Sequence, residues 1–285
     1  MSITNWILTA QCPSQLGTVD AITGHLYHNQ HYIEELHSFD DTHNQQFFIR
    51  ARFRAAEDFD EARFRQHFAL RAEKFAMQWS LSPEEKKQKV VILVSKFDHC
   101  LNDLLYKYKI GQLNIEIPAI ISNHPNLKPL ADWYGITFHH FPISKETKPG
   151  QEAQIWQVIK ASEADLVVLA RYMQVLSSDM CQKLEGWAIN IHHSLLPGFK
   201  GAKPYHQAYE KGVKTVGATA HYINDDLDEG PIIAQGIEAV DHSYYPEDLI
   251  AKGRDIESAT LSKAVKYHTE RRVFLNGSRT VVFSD

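Results

Sequence analysis

The chain has few cysteines, and their placement argues against disulfide or zinc chemistry. Cys12, Cys100 and Cys181 are widely separated in the 285-residue sequence and odd in number. A disulfide framework or a thiolate zinc site needs paired or closely spaced cysteines, so neither is expected and no metal site is predicted. Free thiols fit a reducing compartment, which favours a cytoplasmic location.

Long apolar runs and an excess of basic charge are also missing. No stretch is apolar enough to span a bilayer, and Met1 to Gln11 lack a basic run followed by an apolar one. The sequence therefore predicts neither a membrane contact nor a secretory signal. Thirty Lys and Arg stand against 35 Asp and Glu, a formal net charge of -5. Proteins that bind duplex nucleic acid usually carry a basic face, so no nucleic-acid partner is expected.

The sequence does contain enough apolar material for a core, since 44% of its residues are hydrophobic. Its length suggests one large domain or two ordinary ones. Residues 1–82 follow the order strand, helix, strand, strand, helix, strand, which is typical of a ferredoxin-like α+β domain. Ser14 is expected to cap the first helix.

One strand of this first domain carries a distinctive basic row. Phe47, Ile49, Ala51 and Phe53 alternate with Phe48, Arg50, Arg52 and Arg54. The alternation predicts a half-buried strand with an outer face that is either solvated or part of a subunit contact.

The pattern changes after a charged segment at residues 83–89, which is predicted to be a linker. Continuous apolar runs then recur, with helical spacing between them, at Val90–Val94, Ile115–Ile121, Ile136–Phe141, Leu166–Ala170 and Ala188–Ile191. This alternation predicts a doubly wound, mostly parallel α/β sheet over residues 90–285, with its ligand outside the carboxyl ends of the strands. Near the end of the sequence, Asn276-Gly277 predicts a type I′ hairpin turn.

Two polar side chains stand at the end of one predicted buried strand. Asn190 and His192 are two residues apart, so they point to the same face of the strand. A carboxamide and an imidazole in one cleft can both donate hydrogen bonds to one oxygen, as a developing oxyanion requires. Histidines near strand ends are more often structural than catalytic, and the residues alone leave both possibilities open.

An acidic loop follows further along the chain. Asp225, Asp226, Asp228 and Glu229 lie within five positions. Such a cluster is usually a solvated turn, and the spacing and glycine of an EF-hand calcium loop are missing. An acid beside a strand-end histidine can instead hold the imidazole or orient a water molecule.

Together these two segments resemble the formyltransferase family that uses 10-formyltetrahydrofolate. The similarity rests on Asn-x-His-x-Ser-Leu-Leu-Pro at 190–197, then on His221 and Leu227-Asp228-Glu229-Gly230-Pro231, and covers roughly residues 90 to 285. It implies that Asn190, His192 and Asp228 are catalytic. It also implies a 10-formyltetrahydrofolate substrate and no permanently bound cofactor.

The segment 169–176 resembles the folate pocket of the same family. The resemblance implies that the backbone of Met173, Gln174, Val175 and Leu176 meets the pteridine. It further implies that the loop with Asn224 and Asp225 closes over the folate. Core packing is an equally good interpretation of Met173, Val175 and Leu176.

The first domain resembles an ACT domain, a small ferredoxin-like regulatory module. Residues 12–17, Cys-Pro-Ser-Gln-Leu-Gly, are similar to its loop into the first helix, with Cys12 where that family usually has an acid. The resemblance implies a regulatory role, a possible amino-acid effector and a homo-oligomer.

The combination of both domains is that of hydrolases within the family, which release the formyl group as formate and so supply purine synthesis. The doublet His192-His193 and the segment Gly201–His206 are also similar to those hydrolases.

Two other functions are left open: formyl transfer to an amine such as glycinamide ribonucleotide, and an inactive amino-acid sensor. A phosphorylated acceptor needs a cradle of backbone N–H groups, usually rich in glycine. The loop Ser95–Leu101, after the first sheet strand, has no glycine but contains Phe97 and Asp98. We therefore predict that this loop blocks the acceptor position, unless Phe97 instead packs into the core.

Overall fold

The computed structural model describes residues 5–198 and 204–284, which fall into two compact units. The first unit runs to Lys86 and also includes the chain from Glu270 onward, whereas the second spans Lys87–Thr269. The predicted bounds differ from these units in two places: the segment from Glu270 onward does not belong to the second unit, and only residues 84–87 of the predicted 83–89 linker lie outside strands. No helix within 5–198 and 204–284 is long and apolar enough to cross a membrane.

The first unit has the predicted order of elements. They are β1 (Asn5–Pro13), α1 (Thr18–His28), β2 (Tyr32–Asp41), β3 (Gln46–Arg54), α2 (Glu61–Lys74) and β4 (Gln78–Pro83). The strands form one antiparallel sheet in the order β2-β3-β1-β4. Both helices supply apolar residues at helical spacing, such as Ile22 and Leu26, to the core on one face of the sheet.

The two helices of this unit begin differently. Asp60 caps α2, since its carboxylate accepts hydrogen bonds from the backbone N–H groups of Ala62 and Arg63. The first helix begins after Gly17, with φ 88 and no side-chain cap. Ser14 does not cap α1 as predicted, because its hydroxyl donates to Asp40 instead.

A small hairpin completes the first unit. It consists of β13 (Val273–Asn276) and β14 (Arg279–Val282). Asn276 pairs with Arg279, so the connecting residues are Gly277 and Ser278. Only Gly277, with φ 63, has a positive φ in this turn. A positive φ at the first connecting residue fits a type II′ turn, so the predicted type I′ turn is wrong.

The hairpin covers the outer face of β3. Phe48 and Arg50 are 1% and 2% exposed, and the ring centroids of Phe48 and Phe274 are 5.7 Å apart. Arg50 donates to a Glu35 carboxylate oxygen at 2.7 Å. The prediction of a solvated row or subunit contact is therefore wrong for Phe48 and Arg50, because Phe48 packs on Phe274 and Phe283 and Arg50 Nε donates to the Glu270 carbonyl at 3.1 Å.

The second unit is built on a mixed sheet. Its strands are β5 (Gln88–Val94), β6 (Ile115–Glu116), β7 (Ala119–Ser122), β8 (Thr137–His140), β9 (Leu166–Leu169), β10 (Ala188–His192), β11 (Thr215–Tyr222) and β12 (Ile232–Ala239). The strand order is β12-β11-β10-β9-β5-β7-β8, with β6 beside β5. The neighbours from β10 to β8 are parallel, whereas β11 and β12 are antiparallel. The mostly parallel α/β sheet predicted from the apolar runs is confirmed.

Helices connect these strands. They are α3 (His99–Lys109), α4 (Lys128–Trp133), α5 (Lys148–Ala161), α6 (Ser178–Leu184), α7 (Pro204–Lys211) and α8 (Pro246–Thr269). The predicted strand over 115–121 is two strands, because Pro118 lies between them and has no N–H for the ladder. From β5 the chain moves outward to β7 and β8, then returns on the other side to β9 and β10. The strand order therefore reverses between β5 and β9, and a doubly wound sheet binds ligands at such a position.

Candidate active site

The residues predicted from the sequence gather around one cavity. It has a volume of about 510 Å3 and lies beside the carboxyl ends of β9 and β10. Its lining includes every predicted catalytic and folate-binding residue: Asn190, His192, Asp228, Met173, Gln174, Val175, Leu176, Asn224 and Asp225. Residues from three separate parts of the chain thus meet at the place expected for a ligand.

His192 and Asp228 form a buried pair in this cavity. Imidazole Nδ1 lies 3.2 Å from Asp228 Oδ2, and the histidine is only 5% exposed. Burial opposes ionisation of Asp228, but the hydrogen bond and charge of His192 outweigh it and lower the pKa of the carboxyl. His192 Nε2 has no hydrogen-bond partner among the described residues. With Nδ1 held by the carboxylate, Nε2 is the ring atom that can reach a ligand.

Asn190 is held by a second histidine. Its Nδ2 lies 3.2 Å from His221 Nε2, across the β10–β11 pair. His221 Nδ1 donates to the Tyr222 carbonyl at 2.8 Å, so a neutral ring presents Nε2 as an acceptor. Burial lowers the pKa of His221 and keeps that ring neutral. One Asn190 N–H therefore goes to His221, and the other can donate to a ligand.

The acidic loop is fixed at both ends. The Asp225 carboxylate accepts hydrogen bonds from Ser178 Oγ at 2.9 Å and Gln182 Nε2 at 3.1 Å, both on α6. A Cβ atom at Gly230 would lie 1.7 Å from the Tyr222 carbonyl oxygen, so this close approach requires glycine. Asp228 sits between these anchors with φ 59. A left-handed conformation outside glycine is common at functional positions, where the surrounding structure enforces it.

The segment after β9 lines the other side of the cavity. Met173 and Val175 are 50% and 58% exposed, so the core interpretation is wrong for both of them. Leu176 packs against the core as well as lining the cavity. The Met173 N–H donates to Ser95 Oγ at 2.9 Å, and Ser95 donates to Asn123 Oδ1 at 2.7 Å. These bonds fix the segment to the end of β5.

Arg171, Tyr172 and His193 are among the further lining residues for which the sequence predicts no individual role. Burial lowers the pKa of His193 to about 4, with help from the charges of Arg171 and His192, so this ring is neutral at physiological pH. Arg171 has φ 62, which no sequence pattern indicates. Of the segment similar to the family's hydrolases, residues 201–203 lie outside the described residues.

One side-chain cluster in the described part of the chain has metal-ligand chemistry: His99, Cys100 and Glu257. The Glu257 carboxylate already accepts from His99 Nε2 at 2.8 Å and lies 3.4 Å from the Arg171 guanidinium. A fixed positive charge at that distance opposes a bound cation. This cluster is therefore an internal ion pair with its own counter-charge.

The second unit matches the model of a known protein family. Residues 88–265 match the model of the family described as Formyl transferase. This range contains every residue that lines the cavity, from the end of β9 to the loop ending at Asp228.

Full-length relatives share more than that unit. The formyltetrahydrofolate deformylase of Corynebacterium sp. (strain P-1) is 55% identical over 278 residues, which cover 97% of each chain. The crystal structure of a formyltetrahydrofolate deformylase from Pseudomonas putida KT2440 has a TM-score of 0.93 and 63% identity, and the match covers 98% of this chain and 100% of that one. Glycinamide ribonucleotide transformylase 1 from Symbiobacterium toebii is more distant, with a TM-score of 0.65, 28% identity, and coverage of 70% of this chain and 95% of its own.

Proposed function

The chain belongs to the formyl transferase family, and we propose that within it the protein hydrolyses 10-formyltetrahydrofolate to tetrahydrofolate and formate. The observation that carries this proposal is the 55% identity to a formyltetrahydrofolate deformylase over 97% of both chains. The transformylase relatives cover only 70% of the chain at lower identity, which disfavours transfer to an amine. Hydrolysis also suits a site whose reactive groups are an amide, an imidazole and a carboxylate.

Each side chain has a role in the proposed reaction. Water attacks the formyl carbon, and the tetrahedral oxyanion that forms accepts hydrogen bonds from Asn190 Nδ2 and protonated His192 Nε2. Asp228, 3.2 Å from His192 Nδ1, stabilises the charged ring and helps to take the proton of the water. The bond between carbon and N10 then breaks, N10 gains a proton, and formate leaves. Two donors already serve the oxyanion, so this reaction needs no metal.

The folate would lie along the segment after β9. Met173 and Val175 offer exposed apolar surface beside the backbone of Gln174 and Leu176. Asn224 and Asp225 belong to the loop on the opposite side, and Asn224 Oδ1 is buried with no hydrogen-bond partner among the described residues. An unpartnered buried acceptor is costly unless a ligand donates to it, and a pteridine carries such donors.

For the first unit we propose a regulatory role of the ACT type. Support comes from its β1-α1-β2-β3-α2-β4 order, its antiparallel sheet, and Gly17 at the entrance of the first helix. An amino-acid effector, a homo-oligomer, a cytoplasmic location and a formate supply for purine synthesis belong to the same proposal. Full-length protein should change in activity or in mass by analytical ultracentrifugation when the right amino acid is added. A panel of the common amino acids without effect on either quantity would leave the unit with a structural role only.

One assay separates the candidate activities. The purified chain is mixed with 10-formyltetrahydrofolate, with and without an amine acceptor, and formate is measured. We expect formate without any acceptor, and the rate should persist in the presence of a chelator. Turnover only with the amine would establish a transferase, and no turnover in either case would favour a sensor. Activity that a chelator abolishes and zinc restores would contradict the metal-free mechanism.

A further inference from the structure

The position where the strand order reverses is occupied by the chain's own side chains. Phe97 follows β5 and Arg171 follows β9, and the Arg171 guanidinium lies 5.2 Å from the centre of the Phe97 ring. A doubly wound sheet offers this crevice between the two carboxyl ends to a ligand. The folate cavity lies beside β9 and β10 instead, so the crevice beside it is the natural place for a second substrate.

Arg171 reaches this crevice from a strained backbone. It has φ 62 and is only 9% exposed. Its Nε atom lies 3.4 Å from a carboxylate oxygen of Glu257, which is 2% exposed on α8. Arg171 also lines the folate cavity, so its side chain is part of the wall between the two spaces. A non-glycine residue keeps such a backbone only where its surroundings hold it.

Glu257 is held by three groups at once. Besides Arg171, it accepts hydrogen bonds from His99 Nε2 and from the Tyr205 hydroxyl, each at 2.8 Å. Burial opposes ionisation of this carboxyl, but His99, Arg171 and Tyr205 outweigh it and lower the pKa. Tyr205 reaches Glu257 only because position 253 is glycine, since a Cβ atom there would lie 2.1 Å from the tyrosine ring. The cluster is therefore built by close packing as well as by charge.

We propose that Arg171, Glu257, Tyr205, His99 and Phe97 fill the place of a second substrate and thereby select water as the formyl acceptor. The inference rests on the proposed hydrolysis. Water or an amine would attack the same formyl carbon, and in both cases the bond to N10 breaks and N10 gains the proton that the nucleophile loses. The amine is larger than water, so the space beside the formyl carbon decides whether the amine can reach it.

The loop after β5, which the sequence predicts to block the acceptor position, is one part of this group. Phe97 is 40% exposed, so it does not pack into the core. It lies against Arg171, a residue from the end of another strand. The closing group therefore includes residues from the loops after β5 and β9 and from helices α3, α7 and α8.

The test opens the crevice from two sides. Arg171→Gly removes the side chain and also relieves the positive φ, while Glu257 keeps its bonds to His99 and Tyr205. Phe97→Gly opens the same place from the exposed side. Each variant is mixed with 10-formyltetrahydrofolate and increasing glycinamide, and formate and formylglycinamide are quantified. We expect the ratio of formylglycinamide to formate to rise about tenfold or more in both variants.

Arg254→Ala is the matched control. Arg254 is an exposed arginine of α8 whose guanidinium lies 6.0 Å from the Phe97 ring centre. Its removal takes away one positive charge beside Phe97 and should leave the product ratio unchanged. A larger ratio in this variant would mean that charge near the ring, rather than filled space, selects the acceptor, and would overturn the proposal.

The outcomes separate this inference from the proposed function. If the unaltered chain releases no formate, the hydrolase proposal fails. If it releases formate and both glycine variants keep its product ratio, hydrolysis stands and the filled crevice is not what selects water. If Arg171→Gly loses all turnover, the ratio of formylglycinamide to formate in Phe97→Gly becomes the test. An unchanged ratio in that variant would contradict the proposal.

Discussion

Asn190 and His221 face each other on neighbouring antiparallel strands, and the amide Nδ2 lies 3.2 Å from imidazole Nε2. The opposite side of the same ring donates to the Tyr222 carbonyl. A neutral histidine thus connects the Asn190 amide to the backbone of β11. The orientation of a proposed oxyanion donor is therefore set before any substrate binds, which is the arrangement that favours stabilisation of a transition state.

The first prediction concerns this positioning role. His221→Phe keeps the ring but removes both of its hydrogen bonds, so Asn190 loses its fixed orientation. We expect kcat to fall about tenfold to hundredfold with little change in KM, since the donor is misplaced rather than removed. His268→Phe is the control, because His268 contacts the Tyr222 hydroxyl and not Asn190. Steady-state kinetics with equal losses in both variants would leave His221 with only a structural role.

Asp228→Asn should abolish most turnover while the chain stays folded. Asparagine tolerates a positive φ such as the 59° of Asp228. It carries no negative charge, however, so it can neither stabilise a charged His192 ring nor take a proton from water. A loss of about 10² to 10⁴ in kcat is expected for a group in acid–base chemistry. Folate affinity, measured by calorimetry, should change little. The exposed carboxylate of Asp179 provides the control variant Asp179→Asn, and near-normal turnover of Asp228→Asn would remove this residue from the mechanism.

Asn190→Ala tests the oxyanion donor directly. Deleting the amide removes one of the two proposed hydrogen bonds to the oxyanion, and about 10² to 10³ in kcat should be lost. The loss should appear in kcat because the bond is made mainly in the transition state. Measured kinetics with an unchanged kcat and a raised KM would reassign Asn190 to substrate binding.

A pH-dependent stability is predicted for the first unit. His25 is buried, with ring centroids 4.9 and 5.3 Å from those of Phe64 and Phe68. Burial, and then the charges of Arg71 and nearby histidines, lower the pKa of His25 from 6.5 to about 4. The unfolded chain therefore binds a proton before the folded one does, and stability that is complete near pH 7 is lost as the pH falls from about 6.5 to 4.

We expect His25 to contribute about 2 kcal/mol to the fall in the free energy of unfolding between pH 7 and pH 5. His25→Leu should reduce the fall by that amount, whereas His43→Leu, at an exposed histidine of the same unit, should not. Urea unfolding measures the change, and hydrogen exchange in β1 and β3 assigns it to the first unit. An equal pH dependence in His25→Leu and the unaltered chain would contradict the prediction.

The hairpin contact is tested by truncating one ring. Phe274 is buried against Phe48 and Phe283, so Phe274→Ala should lower the free energy of unfolding by about 3 kcal/mol. The neighbouring Leu275 is largely exposed, and Leu275→Ala should cost less than about 1 kcal/mol. Chemical denaturation compares the two, and similar losses would mean that the hairpin does not stabilise the sheet through Phe274.

The sequence predicts best where structure follows local pattern. The parallel strands are continuous apolar runs such as Val90–Val94, and their burial on both faces is visible in the sequence itself. Asn190, His192 and Asp228 were also predicted to meet, because strand ends and adjoining loops share one edge of such a sheet.

Other features depend on partners that no local pattern contains. Arg50 donates to the backbone carbonyl of Glu270, 220 residues away in the chain. Its alternation with apolar neighbours in the sequence gives no sign of that contact. The positive φ of Arg171 is likewise enforced by its surroundings and not by residue type. Close approach at Gly253 depends on Tyr205, which lies on another helix.

The position of the hairpin has a consequence for biosynthesis. A ribosome makes the strands β1 to β4 first, then the whole catalytic unit, and only afterwards the residues from Glu270 that cover Phe48 and Arg50. Domains generally fold as they emerge from the ribosome. The first unit, however, lacks its hairpin until translation has passed the catalytic unit. During that interval a phenylalanine and an unshielded arginine stay open to water and to chaperones. A message cut short after Thr269 would therefore yield a complete catalytic sheet attached to an incompletely covered first unit.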